Sequence, residues 1–298
     1  MKLQTIGSEI GMAAILLAAG MAFAPVSRAQ QYGSQQQQQQ PPPTLQPPPQ
    51  QKPGQAAPGQ AQQKPEAPKV DPQEEAAYKA FTDTNPSDAD KEIQLGEDFL
   101  QKYPTSKYAE AVNSRLTQAY FNKQQFDKMY ASSEKALALN PDDVTVLVLV
   151  GWVIPHNYDP NDINSEHRLA QAEQYEEHAI SVLGTMTKPA SMTDDQFSKA
   201  KNAALSQAHS GLGLVDFRKQ DFANSINELR QSEQLADTPD PTDFYVMGIE
   251  LNQLKKYPEA VDAFNKCAQI PGALADRCKQ SAAQTKKLAA TELTPPKP

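Results

Sequence analysis

Between residues 244 and 271, apolar side chains recur at intervals of three and four, the spacing that puts successive positions on one face of an α-helix. Phe244, Met247 and Leu251 mark one such face, and Tyr257, Ala260, Phe264 and Cys267 mark a second, with Pro271 as a stop. The two runs predict a pair of antiparallel helices. Small residues at Gly248 and Ala260 permit a tight crossing, while Phe264 and Tyr257 fill the wider gaps. Such a pair leaves an apolar flank that only neighbouring pairs can bury.

The same period begins near Gln73. Residues 74–81 and 88–103 are expected to form a first pair, with Ser87-Asp88 as N-cap and Pro104 as stop. A second pair, from about Ser106 to Asn140, rests on Leu116, Tyr120, Phe126, Met129, Ala136 and Pro141, with Thr117 at the position held by Gly248. A third opens at Asp142-Asp143, and its Gly151 follows Thr117 by 34 residues. Its first helix, VTVLVLVGWVI, is rich in β-branched residues that also suit a buried strand. The register and the Asn140-Pro141-Asp142-Asp143 lead-in favour a helix packed on both sides.

Gly213 then follows Gly151 by 62 residues, about 28 more than one period. The excess is expected in a loop, 155–165, and a connector, 184–192, on either side of a long helix over 166–183. A fourth pair spans roughly Thr193 to Ala236 through Leu212, Gly213, Phe217, Phe222, Ser225 and Leu229, and Gly248 follows Gly213 by 35 residues. A final Lys-, Gln- and Ala-rich helix, from Ala273 to about Ala290, has the polar outer face of a capping element. The tail LTPPKP should fray.

The segment FYVMGIELNQLKKYPEAVDAFNKCAQIP resembles the tetratricopeptide pattern W-x2-L-G-x2-Y…A-x3-F…P. Over about residues 70–291 the chain is similar to exported bacterial tetratricopeptide repeat proteins. The resemblance implies an all-α solenoid of about five helix pairs plus a C-terminal capping helix. It also implies a non-enzymatic scaffold or adaptor that binds a peptide or helix of a protein partner in a concave groove lined by the first helix of each pair. Carried over position by position, that groove comprises Ser114, Gln118, Phe121, Asn122, Val148, Trp152, Leu214, Phe217, Arg218, Tyr245 and Asn252. The set is aromatic and amide-rich with one Arg, and departs from the Lys/Asn/Arg carboxylate clamp of chaperone-binding members. The plainer alternative makes Trp152, Leu214 and Phe217 packing residues between helices.

Composition changes the picture at the ends. Most of the 25 prolines of the 298-residue chain crowd into residues 41–72 and the last positions. An apolar stretch from Ile10 to Val26 follows Lys2, and Ser27-Arg28-Ala29 offers a signal-peptidase site with cleavage after Ala29. Ala22-Phe23-Ala24 would serve also, but Pro25 blocks it. The alternative is an uncleaved anchor, although the stretch falls short of the roughly 20 apolar residues that span a bilayer. Residues 1–29 are therefore expected to be a signal peptide and 30–72 a disordered Gln/Pro-rich spacer. The solenoid follows over 73–291, and 292–298 form a disordered tail. The product is expected in the periplasm or outside the cell. A net charge of −8, with no basic stripe, argues against nucleic acid or anionic lipid as the main partner.

Candidate chemistry adds little. His167 and His178 stand 11 residues apart, too far along a helix for one metal ion to bridge. The loop residues Asp159, Asn161 and Asp162 hint at calcium, yet Ile163 falls on a ligand position and the required glycine is missing. No phosphate-binding glycine loop, G-x-S-x-G or H-E-x-x-H occurs, so no catalytic residue, metal or cofactor is expected. Cys267 and Cys278 flank the turn at Pro271-Gly272 about equally, which lets them come level and form a disulfide in an oxidising compartment. The alternative is two buried thiols. Besides the groove-binding scaffold, two other roles fit: a self-associating or cell-wall-associated structural subunit, and an accessory protein of an envelope enzyme complex.

Overall fold

The computed structural model describes residues 71–292. The expected signal peptide, nearly all of the Gln/Pro spacer and the last six residues lie outside the described residues. Among the described residues eleven α-helices follow one another: α1 Pro72–Thr82, α2 Ala89–Lys102, α3 Ala109–Asn122, α4 Phe126–Leu139, α5 Val144–His156, α6 Ser165–Thr185, α7 Asp194–Lys219, α8 Phe222–Leu235, α9 Pro241–Gln253, α10 Tyr257–Gln269 and α11 Ala275–Glu292. They form five antiparallel pairs and a closing helix, with each pair packed on the next.

Local chemistry sets the starts. Side chains of Asp71, Asp88, Asp143, Asp221 and Asp240 accept from backbone N–H groups of the first turns they precede. Thr193 and Gln196 close a capping box ahead of α7. Pro72, expected to end the spacer, is instead the first residue of α1, where its missing N–H costs nothing. The apolar run after Asp143 is helical, as the register required. Its helix continues through Pro155 to His156, so the inserted loop is shorter than expected, 157–164. A proline there removes only one hydrogen bond close to the helix end. Likewise α6 runs to Thr185, and the connector shortens to 186–193.

Three turns are copies of one another. Gln124, Gln220 and Lys255 adopt left-handed backbone angles, with φ of 56°, 64° and 58°. In each, the next residue's N–H reaches back five residues: Gln125 to Tyr120, Asp221 to Asp216 and Lys256 to Leu251, at 2.8–2.9 Å. This is the bond that closes a Schellman-type helix end. The crossings repeat as well. A Cβ added at Gly248 would lie 2.6 Å from the Phe264 ring, and one at Gly213 would lie 2.5 Å from Leu229. In the third pair the residue over Gly151 is Glu176, 2.6 Å from the same hypothetical atom. A carboxyl thus fills a slot that is apolar in its sister repeats.

The apolar interior falls into clusters rather than one body. One, around Phe81, Leu116, Met129 and Val153, spans α1–α6 and touches α7 at Val215. A second, around Leu229, Phe244, Leu251 and Phe264, joins α7–α11. A small third links Val144, Leu147, Leu183 and Ala208 across α5, α6 and α7. Cys267 and Cys278 form the expected disulfide, with Cα atoms 5.9 Å apart, and tie α11 to α10.

Candidate functional site

Odd-numbered helices approach one another backbone to backbone, α3 with α5, α5 with α7, α7 with α9 and α9 with α11, whereas neighbouring even-numbered helices do not. Long side chains bridge α8 and α10 instead, in the pairs Arg230–Glu259 at 2.9 Å and Lys266–Glu233 at 2.6 Å. The odd helices therefore make the inner, more crowded row. All eleven residues assigned to the groove from the sequence lie on this row.

They do not all face outward. Val148 and Leu214 are buried in the core, Val148 against Ala179 and Leu183, and Leu214 among the α7–α11 cluster. A mid-stack helix is covered on both flanks, so its apolar positions are taken up by packing. Arg218 is largely committed too. Its Nε and Nη2 donate to the Pro155 carbonyl at 3.1 and 3.0 Å, and its guanidinium lies over the Tyr158 and Phe217 rings.

Ser114, Gln118, Phe121, Trp152, Phe217, Tyr245 and Asn252 are half-buried, and Asn122 is exposed. Phe121 meets Trp152 edge-on at 6.4 Å, and Trp152 lies 3.8 Å from the His156 ring. Gln118 donates to Asn122 on the next turn at 3.1 Å. Further along, Pro155, His156, Phe217, Arg218, Tyr245 and Leu274 border a narrow cleft where α5, α7, α9 and the start of α11 converge. His156 Nδ1 donates to the Trp152 carbonyl at 2.7 Å, which leaves Nε2 buried and without a hydrogen-bond partner among the described residues. Burial holds this imidazole below its usual pKa.

The least ordinary chemistry was not singled out from the sequence. Glu176, Asp243 and Glu250 are all but fully buried. Among the described residues, neither carboxyl oxygen of Glu176 or of Glu250 finds a hydrogen-bond partner. Asp243 accepts from Ser210 at 2.7 Å and from Ser232 at 2.8 Å, and Ser206 in turn donates to the Ser232 carbonyl at 3.0 Å. Burial drives the Glu176 carboxyl far above the carboxylate range. Burial, with the Asp240 carboxylate nearby, pushes Asp243 up to about 8. Burial also lifts Glu250 to about 8, with the Asp216 carboxylate adding to the shift. Asp216 itself rises to about 6, through burial and then the charge of Asp221. A signal did exist: residues 169, 172, 176, 179 and 183 repeat at helical core spacing, with Glu176 the one acid among Leu and Ala.

The remaining sequence candidates are surface groups. His167 and His178 are exposed, and His178 Nε2 lies 2.9 Å from Asp142. In the 157–164 loop, Asp159 accepts from Asn161 and Asp162 pairs with Arg168, so these carboxylates bind their own turns.

No protein-family model matches this chain, and no curated protein does. Among solved structures it is similar to TTC0263, a thermophilic TPR protein of Thermus thermophilus, at 14% identity and a TM-score of 0.44, over 72% of this chain and 96% of that one. It is also similar to PilW, a widely conserved type IV pilus biogenesis factor, at 15% identity and a TM-score of 0.45, over 76% of this chain and all of that one. The described helices are stacked in successive antiparallel pairs. Among the described residues no helix is long and apolar enough to cross a membrane.

Proposed function

We propose that this protein is a non-enzymatic scaffold of the bacterial cell envelope that holds a peptide or helix of a partner protein along its inner row of helices. The observation that carries this reading is the row itself. Gln118, Phe121 and Asn122 on α3, Trp152 on α5, Phe217 on α7 and Tyr245 on α9 present partly exposed aromatic faces and amides along one side of the stack. Aromatic rings offer large contact area at low entropic cost, and amides can pair with the backbone of a bound segment. Val148, Leu214 and most of Arg218 support that surface from behind. The Cys267–Cys278 bridge supports export, because disulfides persist in oxidising compartments and are rare in the cytosol of mesophiles.

The test is photo-crosslinking in cells from probes placed singly at Gln118 and Tyr245 on the inner row and at Asp262 on α10, followed by fractionation of the envelope. One protein captured from Gln118 and Tyr245 but not from Asp262 is the expected result. Its capture should vanish in a Trp152→Ala/Phe217→Ala variant that keeps a cooperative melt. Equal capture from Asp262, or none from the inner row, would sink the reading.

A further inference from the structure

Helix α7 is the only described helix shared between the two larger apolar clusters, contributing Val215 to one and Leu214 to the other. On each side its contact contains a buried acid. Toward α5 and α6, the Glu176 carboxyl lies between two glycines: a Cβ at Gly151 would meet its Oε1 at 2.6 Å, and one at Gly211 on α7 would press on the same oxygen. Toward α8 and α9, Asp243 takes hydroxyl donors from Ser210 on α7 and Ser232 on α8. One helical heptad further on, Glu250 sits beside Ser225, whose own hydroxyl is turned to the Gly213 carbonyl at 2.7 Å. We propose that α7 is a proton-controlled joint: Glu176, Asp243 and Glu250 hold its two flanks closed while neutral, and their ionisation lets the front helices, α1–α6, part from the back helices, α8–α11.

The physical case is one of compensation. An ionised carboxylate in a dry site is stable only beside a cation or several donors. Glu176 has neither. Among the basic groups of α5 and α7, His156 donates to the Trp152 carbonyl, His209 lies against Glu228, Arg218 donates to the Pro155 carbonyl and Lys219 pairs with Glu173. Asp243 faces Asp240 from its own helix, and Asp240 also acts on His156; neither neighbour supplies a cation while that imidazole stays neutral. On α8, Glu228 is paired with His209 and Glu233 with Lys266. Glu250 faces Asp216 of α7, itself flanked by Asp221, Glu173 and Glu228 with Lys219 as the one opposing charge. On α10, Glu259 pairs with Arg230, and Lys266 with Glu233 and Asp262. Protonation removes the charge at each place; at Asp243 the Ser210 and Ser232 hydroxyls favour the ionised form, and burial with the nearby Asp240 carboxylate outweighs them. Each ionised site shifts the closed–open balance about tenfold for every pH unit between its open-state and closed-state pKa values.

Hydrogen–deuterium exchange on the full chain, corrected for intrinsic rates, tests this at about pH 6 and about pH 8.5. The opening equilibrium of amides in residues 206–216 should be at least about tenfold larger at the higher pH, while the α3–α4 amides change by much less. In a Glu176→Gln/Asp243→Asn/Glu250→Gln variant that still melts cooperatively, that pH dependence should disappear. Should the triple variant not fold, the single Glu176→Gln variant should lose the part of it carried by residues 206–211. Opening of α7 that is independent of pH in the wild type overturns the proposal. So does an equal rise in α3–α4, or a folded variant that keeps the wild-type profile.

Discussion

At the scale of single residues, the crossings inside each helix pair decide what is tolerated. Gly248 lies so close to Phe264 that a methyl group would meet ring atoms at 2.6 Å. Gly248→Ala should therefore cost about 1–3 kcal/mol in urea unfolding. Gly184, in the last turn of α6, has nothing within 4 Å of the same added atom. Gly184→Ala should stabilise, by up to about 1 kcal/mol, because the helix loses a flexible residue and no space is contested. Glu176→Met places an apolar side chain of similar length where the sister repeats carry Leu229 and Phe264. The gain should be on the order of 1–3 kcal/mol and larger at high pH, where the native glutamate resists ionisation most. Much of this was legible: the glycines recur at one repeat position and announce the close crossings. The acid over Gly151 was not read, since its helix arrives after an insertion that hides its equivalence to Leu229.

At the scale of elements, caps and turns explain why eleven helices begin and end where they do. The left-handed residues Gln124, Gln220 and Lys255 close the turns of the second, fourth and fifth pairs with one hydrogen-bond pattern. The first and third pairs lack it, and they are the pairs that match the repeat pattern least in sequence. The closing helix depends on a covalent tie. In the loop-entropy picture a bridge across so short a segment contributes roughly 2–3 kcal/mol. Reduction should therefore lower the melting temperature and expose α11 to limited proteolysis before α3–α4. Simultaneous release of both regions would show that α11 is not a separate unit. The 157–164 loop is held by its own carboxylates, Asp159 accepting from Asn161 and Asp162 pairing with Arg168 of α6, a pattern that composition alone does not reveal.

At the scale of the whole molecule, pH should act in an unusual direction. Asp243 and Glu250, with values near 8 in the folded chain and near 4 when unfolded, bind protons more tightly in the native state. Their contribution is full below the unfolded value and is lost as pH rises through the folded one. The urea midpoint should fall between about pH 6 and about pH 8.5, by an amount that shrinks in the Asp243→Asn and Glu250→Gln variants. Most described ion pairs, such as Lys79–Asp83 and Lys128–Glu97, are solvent-exposed and should contribute little against this trend. A midpoint that rises over the same interval would contradict the burial of these acids.

Periodicity and spacing determined the class of fold, the count of helix pairs and the disulfide partners, because local propensity and helical repeat are written residue by residue; the row on which a groove could lie came from the family resemblance. The tertiary structure decided which members of that row remain available. Val148 and Leu214 went inside because α5 and α7 are flanked on both sides, and Arg218 was drawn to the carbonyl of Pro155 where the helix it faces continues through that proline to His156. It also decided that Glu176, Asp243 and Glu250 are dry. Burial is a property of neighbours distant in sequence, and those neighbours come together only when the pairs stack.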